Sequence, residues 1–244
     1  MRFFVGLLAL FLIPGSAVAC RDSLVLLLQM QDLWMPLAAG ILTGILLYFL
    51  VIRKLTVIST FEHELTHALV ALLIFRRIHK FVVTRNRGGQ VQYSGKFGGE
   101  FGDLVIGLAP YFLPTFTLIS ALVRPFLPKE WFPWYDGFIG FTLAFQFLTN
   151  IEETRQSWTK KSFSGAGDRQ KTKSDIGKVG YIFAFLVIPG FGLFLYGIIF
   201  CLMVSGYQGL WAFFKSVVLV SGSLYADLFY RLYIFLQAQF HHWM

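Results

Sequence analysis

Residues 179–214, VGYIFAFLVIPGFGLFLYGIIFCLMVSGYQGLWAFF, contain no charged side chain. At about 1.5 Å of rise per residue, a helix of that length overshoots a hydrocarbon core of about 30 Å. The run is therefore expected to break near Ser205-Gly206-Tyr207-Gln208-Gly209, where small and polar residues cluster. The rest of the chain reads the same way. Apolar residues make up 56% of the 244, charged residues 14% and aromatics 18%, with Phe alone at 28. A water-soluble domain needs about 25% charged residues to cover its surface, so disorder, rod-like folds and most soluble folds are excluded and a multi-span membrane protein remains.

Further apolar runs follow from that premise. Leu37–Ile52 is charge-free, with Gly40 and Gly44 spaced so that a second helix can approach closely. Leu55–Phe75 is apolar apart from Glu62, His63, Glu64 and His67. Leu104–Val123 carries Pro110 and Pro114, which are expected to kink it, and Gly137–Ile151 is short. The segment to Met244 carries Lys215, Asp227 and Arg231 and can span or lie along the interface. The expected fold is an all-α polytopic membrane protein of about six transmembrane helices, with a membrane-associated β-hairpin after the His/Glu-bearing helix. The hairpin is read from Phe81-Val82-Val83-Thr84, the turn residues Arg85 to Gly89, and Gln90-Val91-Gln92-Tyr93.

At the N-terminus, Arg2, an apolar stretch to Ile13 and Ala17-Val18-Ala19-Cys20 read as a signal peptide or a first anchor over residues 1–20. Residues 21–244 then form a single membrane-embedded domain, with a flexible polar loop over 152–178. The net charge of +8 falls largely in loops at 76–102 and 152–178, which points to contact with the lipid bilayer and its anionic headgroups, not to nucleic acid. The positive-inside rule puts both loops in the cytoplasm, whereas counting spans from a cleaved signal puts them outside.

His63-Glu64-Leu65-Thr66-His67 is the informative element. Residues four apart share a helix face, so His63 and His67 can direct imidazole nitrogens at one zinc ion (Zn2+), about 2.0–2.1 Å from each. Glu64, next to the first histidine, is placed to take a proton from a metal-activated water. Ionisable groups at membrane depth cost about 2.5–3.5 kcal/mol each on insertion scales, which makes them functional candidates. Glu62 is expected to face away from the histidines, at the wet end of the helix.

The stretch Phe61 to Ala71, followed by a glycine-containing hairpin and another membrane helix, resembles the site-2 protease family of membrane-embedded zinc metalloproteases, in its small bacterial members without a regulatory domain. The resemblance implies a zinc metalloendopeptidase of the bacterial inner (cytoplasmic) membrane acting on a membrane-anchored protein or peptide. It implies zinc on the two motif histidines and on an aspartate of a later helix, with the motif glutamate as base. Asp175, at the head of the run starting at Val179, is the first choice for that aspartate and Asp103 the second; both sites also suit a helix N-cap. Asn150, one turn after Gln146, is a candidate for holding substrate backbone or an oxyanion, and the hairpin edge from Val91 to Tyr93 for pairing with an unwound substrate. His79 reads as an interfacial loop residue. Thr66 stands where the family often has Gly, and no Asp-Gly pair follows. These departures leave a second reading open, a catalytically inactive membrane scaffold of the same fold.

Overall fold

The computed structural model describes residues 2–52, 56–84, 88–163 and 175–243. Its helices are α1 (Arg2–Gln29), α2 (Gln31–Leu50), α3 (Thr56–Leu73), α4 (Gly99–Phe112), α5 (Thr115–Val123), α6 (Phe132–Phe163), α7 (Asp175–Val179) and α8 (Tyr181–Trp243). The strands β1 (Arg77–Thr84) and β2 (Gly88–Ser94) form an antiparallel hairpin between α3 and α4. The molecule is thus an all-α membrane protein with one β-hairpin, as the hydropathy pattern implies.

Among the described residues, three helices (α1, α2 and α8) are long and apolar enough to cross a membrane, or four if the bent pair α4–α5 counts as one span. Polar side chains dilute α3 (Glu62, His63, Glu64, His67) and α6 (Asp136, Gln146, Asn150). The α4–α5 pair bends by 80° where Leu113 and Pro114 interrupt the helical ladder, as the prolines predict. The break in α8 falls at Gly206, whose φ of 62° only glycine adopts readily.

At the N-terminus α1 runs from Arg2 through Cys20 to Gln29 and packs along α8. The segment 152–178 is not a loop at its start, because α6 continues to Phe163; α7 begins at Asp175, and residues 164–174 lie outside the described residues.

Glycines set how closely the long helices cross. A Cβ on Gly40 would collide with the carbonyl of Gly137, and one on Gly140 with that of Leu37, so α2 and α6 meet backbone to backbone. Lipid offers no hydrophobic force between helices, so such close packing is what holds them together. Gly15 does the same for α1 and α8, and its N–H also donates to Ser221 Oγ at 3.0 Å.

These long helices frame the shorter elements that carry the polar residues. Val70 and Ala71 of α3 pack on Ile106 and Ala109 of α4. The C-terminus of α3 is held by Arg76, which is 6% exposed. Its guanidinium donates to Asp103 Oδ1 (2.5 Å) and Gly99 O (2.9 Å) and lies 5.4 Å from the Tyr93 ring centroid. One side chain thereby joins α3, α4 and β2. The hairpin is drawn back along α3, where the Phe61 and Phe81 rings meet edge to face at 5.8 Å.

Candidate metal centre

The amphipathic pattern of α3 turns His63 and His67 toward α4 and α6. His67 Nδ1 lies 2.7 Å from Ile106 O of α4. His63 Nδ1 lies 2.5 Å from Glu153 Oε2 of α6. A carbonyl oxygen and an ionised carboxylate only accept, so each Nδ1 carries the proton and donates it. The two Nε2 atoms face one another at 3.2 Å, and on a neutral ring with its proton on Nδ1 that nitrogen carries a lone pair. Two lone pairs at that range repel unless a positive charge lies between them. A tetrahedral centre with Zn–N bonds of about 2.0–2.1 Å separates two ligand nitrogens by roughly 3.3 Å. The pair therefore has the spacing of two ligands of one zinc ion, with each Nδ1 turned to an acceptor.

Among the described residues, no three His, Cys, Asp or Glu side chains converge as a metal-holding group. The side chain of Asp175, the first choice for a third ligand, lies outside the described residues, as does Asp168. The helix that Asp175 opens is placed, however: Ile176 and Val179 are buried in one apolar cluster with Leu104, Leu108 and Tyr111 of α4. Asp103, the second choice, is corrected by the structure. Its carboxylate is paired with Arg76 at the N-terminal end of α4, where it is 59% exposed. A guanidinium holds it because the loop after α3 brings Arg76 back over the start of α4, a contact invisible in the linear sequence.

Glu64 lies beside the hairpin. A Cβ on Gly89 would run into the Glu64 side chain, with Oε1 only 2.7 Å away. Only a residue without a side chain lets β2 lie this close to the carboxylate. Glu62 is not at a wet end. It is 2% exposed, and it belongs to a buried polar group with Thr66, whose hydroxyl contacts Glu62 O (3.0 Å) and Thr115 Oγ1 (2.7 Å). Its position one step before His63 turns it toward α5 and α6, which the bend at Pro114 brings alongside. Thr66, in place of glycine, is satisfied by the same contacts and is 0% exposed.

The remaining candidates divide. Asn150 accepts from Gln146 Nε2 (3.3 Å) and donates to Tyr111 O (3.5 Å), so it ties α6 to α4. Tyr93 is partly buried against Val70, Ala71 and Ile106, and Val91 pairs with Phe81 of β1. Among the described residues β2 has one strand neighbour, in a two-stranded sheet. His79 is in β1, not a loop, and contacts Ser94 Oγ across the hairpin.

Residue order alone does not single out Tyr111, whose ring stands edge-on to His63 at 5.5 Å and which is 8% exposed. Its one signal is a phenol directly after Pro110. Glu153 is, in the linear chain, one carboxylate among several possible ligands, with nothing to connect it to an imidazole 90 residues earlier.

Residues 37–145 match the family model described as Peptidase M50B-like. No curated protein and no solved structure matches this chain.

Proposed function

We propose that this chain, whose segment 37–145 belongs to the Peptidase M50B-like, or site-2 protease, family, is a zinc endopeptidase that hydrolyses a membrane-anchored protein or peptide in or beside the bilayer. Membership of that family and the apolar helices support an integral membrane metalloprotease. The observation that carries the finer reading is the pair of Nε2 atoms 3.2 Å apart, each on a ring whose Nδ1 faces an acceptor.

In this reading His63, His67 and Asp175 hold the ion. Support for Asp175 comes from α7, which packs on the same helix, α4, whose Ile106 carbonyl orients His67. Zinc, when bound, supplies a Lewis acid that lets a water be deprotonated near neutral pH and polarises the scissile carbonyl. Glu64 takes the proton of the attacking water and returns it to the departing amine nitrogen. A helical substrate must be unwound before its carbonyl is accessible, and the outer edge of β2, from Val91 to Tyr93, offers backbone groups on which an extended segment can pair. The position of Gly89 against Glu64 supports this, because a strand added at that edge lies near the base. Asn150 serves the site by locking α6 to α4. The reading places the chain in the inner membrane of a bacterium, as the resemblance to the small bacterial enzymes implies.

Metal analysis tests the proposal most directly. Protein purified in detergent is expected to carry about one zinc per chain, and His67→Ala is expected to lose it while remaining folded. Wild-type protein without stoichiometric zinc, after incubation with the metal, would identify the chain as a scaffold.

A further inference from the structure

The carboxylate of Glu153 sits on the wrong side of His63 to be a ligand. An imidazole presents its two nitrogens on opposite edges, and Glu153 Oε2 is at Nδ1 (2.5 Å), whereas Nε2 faces His67. The contact is sheltered: the side chains of His63 and Glu153 are 12% and 22% exposed. A carboxylate placed so close keeps a proton on Nδ1, so that of the two neutral tautomers it selects the one with its lone pair on Nε2. The other histidine has a fixed acceptor for the same purpose, the Ile106 carbonyl. The two rings are thus oriented by unlike devices, one part of the backbone and the other a replaceable side chain with charge.

From this geometry we propose that Glu153 is a positioning residue for the metal centre: it holds His63 in the ligating tautomer and orientation, without itself contacting the ion. The inference rests on the reading of His63 and His67 as zinc ligands. Partners of this kind commonly contribute about 10–100-fold in metal affinity. The charge matters as well as the hydrogen bond. A carboxylate pulls the Nδ1 proton toward itself and puts negative charge on the ring, which a neutral acceptor does only weakly. Placement on α6 adds a mechanical link. Asn150, on the same helix, is bonded to Tyr111 O, and Tyr111 stands against the same histidine. The fixed seat of α6 against α4 thereby sets where Glu153 can reach.

Zinc affinity of the full-length protein in detergent, measured by competition with a chromophoric chelator, separates the possibilities. Glu153→Ala is expected to weaken zinc binding about 10–100-fold, and Glu153→Gln, which retains an acceptor without the charge, to fall between Ala and wild type. Cobalt bound in place of zinc is expected to keep its tetrahedral absorption band in both variants, since no ligand has been removed. The proposal is overturned if Glu153→Ala binds zinc as wild type does. It is overturned equally if that variant loses the metal or the tetrahedral band altogether, which would make Glu153 a ligand. Helix content and thermal midpoint serve as the folding control: a fall in affinity that tracks a fall in either, in both variants, also overturns it. Failure of wild type itself to bind zinc would instead refute the metal centre, and the positioning role with it.

Discussion

Glu64→Gln is expected to reduce cleavage of a labelled single-span peptide, reconstituted with the protein in lipid vesicles, by about 10²–10⁴-fold, with zinc content and helix content unchanged. The amide has nearly the same shape as the carboxylate, so the seat against Gly89 is kept. It cannot accept the proton of an attacking water, which is the step proposed for Glu64. Because the neighbouring histidines provide the Nε2 pair, the metal should stay where it is. Turnover equal to wild type would show that another group serves as base. Loss of zinc along with activity would show that Glu64 shapes the centre and would not isolate its proton-transfer role.

Asp136→Ala is expected to destabilise the fold by about 3–5 kcal/mol, read from unfolding in mixed micelles. Asp136 is 1% exposed and grips Arg124 with both oxygens, Nε to Oδ1 at 2.5 Å and Nη2 to Oδ2 at 2.9 Å. The same guanidinium donates to Met203 O at 3.1 Å and lies 4.1 Å from the Phe132 ring centroid. It therefore joins the end of α5 to the start of α6 and to α8, shortly before the break at Gly206. Deleting the acid strands a buried cation, which costs far more than the pair contributes against an apolar replacement. The double variant Arg124→Met/Asp136→Leu should consequently recover much of the loss. A single variant as stable as wild type would mean that the pair is hydrated and structurally dispensable.

These two expectations differ in how far residue order alone supports them. The role proposed for Glu64 rests on a spacing within one helical turn, so it requires no knowledge of which elements pack together. The Arg124–Asp136 pair joins residues 12 apart across the connection from α5 to α6, and nothing in the residue order distinguishes it from an exposed loop pair. The small-residue reading of Gly40 holds because a missing Cβ has only one use in such a helix, close approach of a neighbour. The reading of Glu62 as an exposed residue fails because burial depends on what packs across from it, here Thr66 and Thr115. Asp103 fails as a candidate ligand for the same reason: any acid at a helix start looks alike until its cation is known, and that cation is Arg76.

Short-range periodicity and composition are properties of the chain itself. They sufficed for the membrane class, the hairpin, the breaks at Pro114 and Gly206, and the two imidazoles on one face of α3. Which acceptor orients each ring, and which acid is taken up elsewhere, depends on atoms brought together from distant positions. Those choices belong to the tertiary structure, because hydrogen bonds and ion pairs are decided by ångströms of separation in space and not by distance along the backbone.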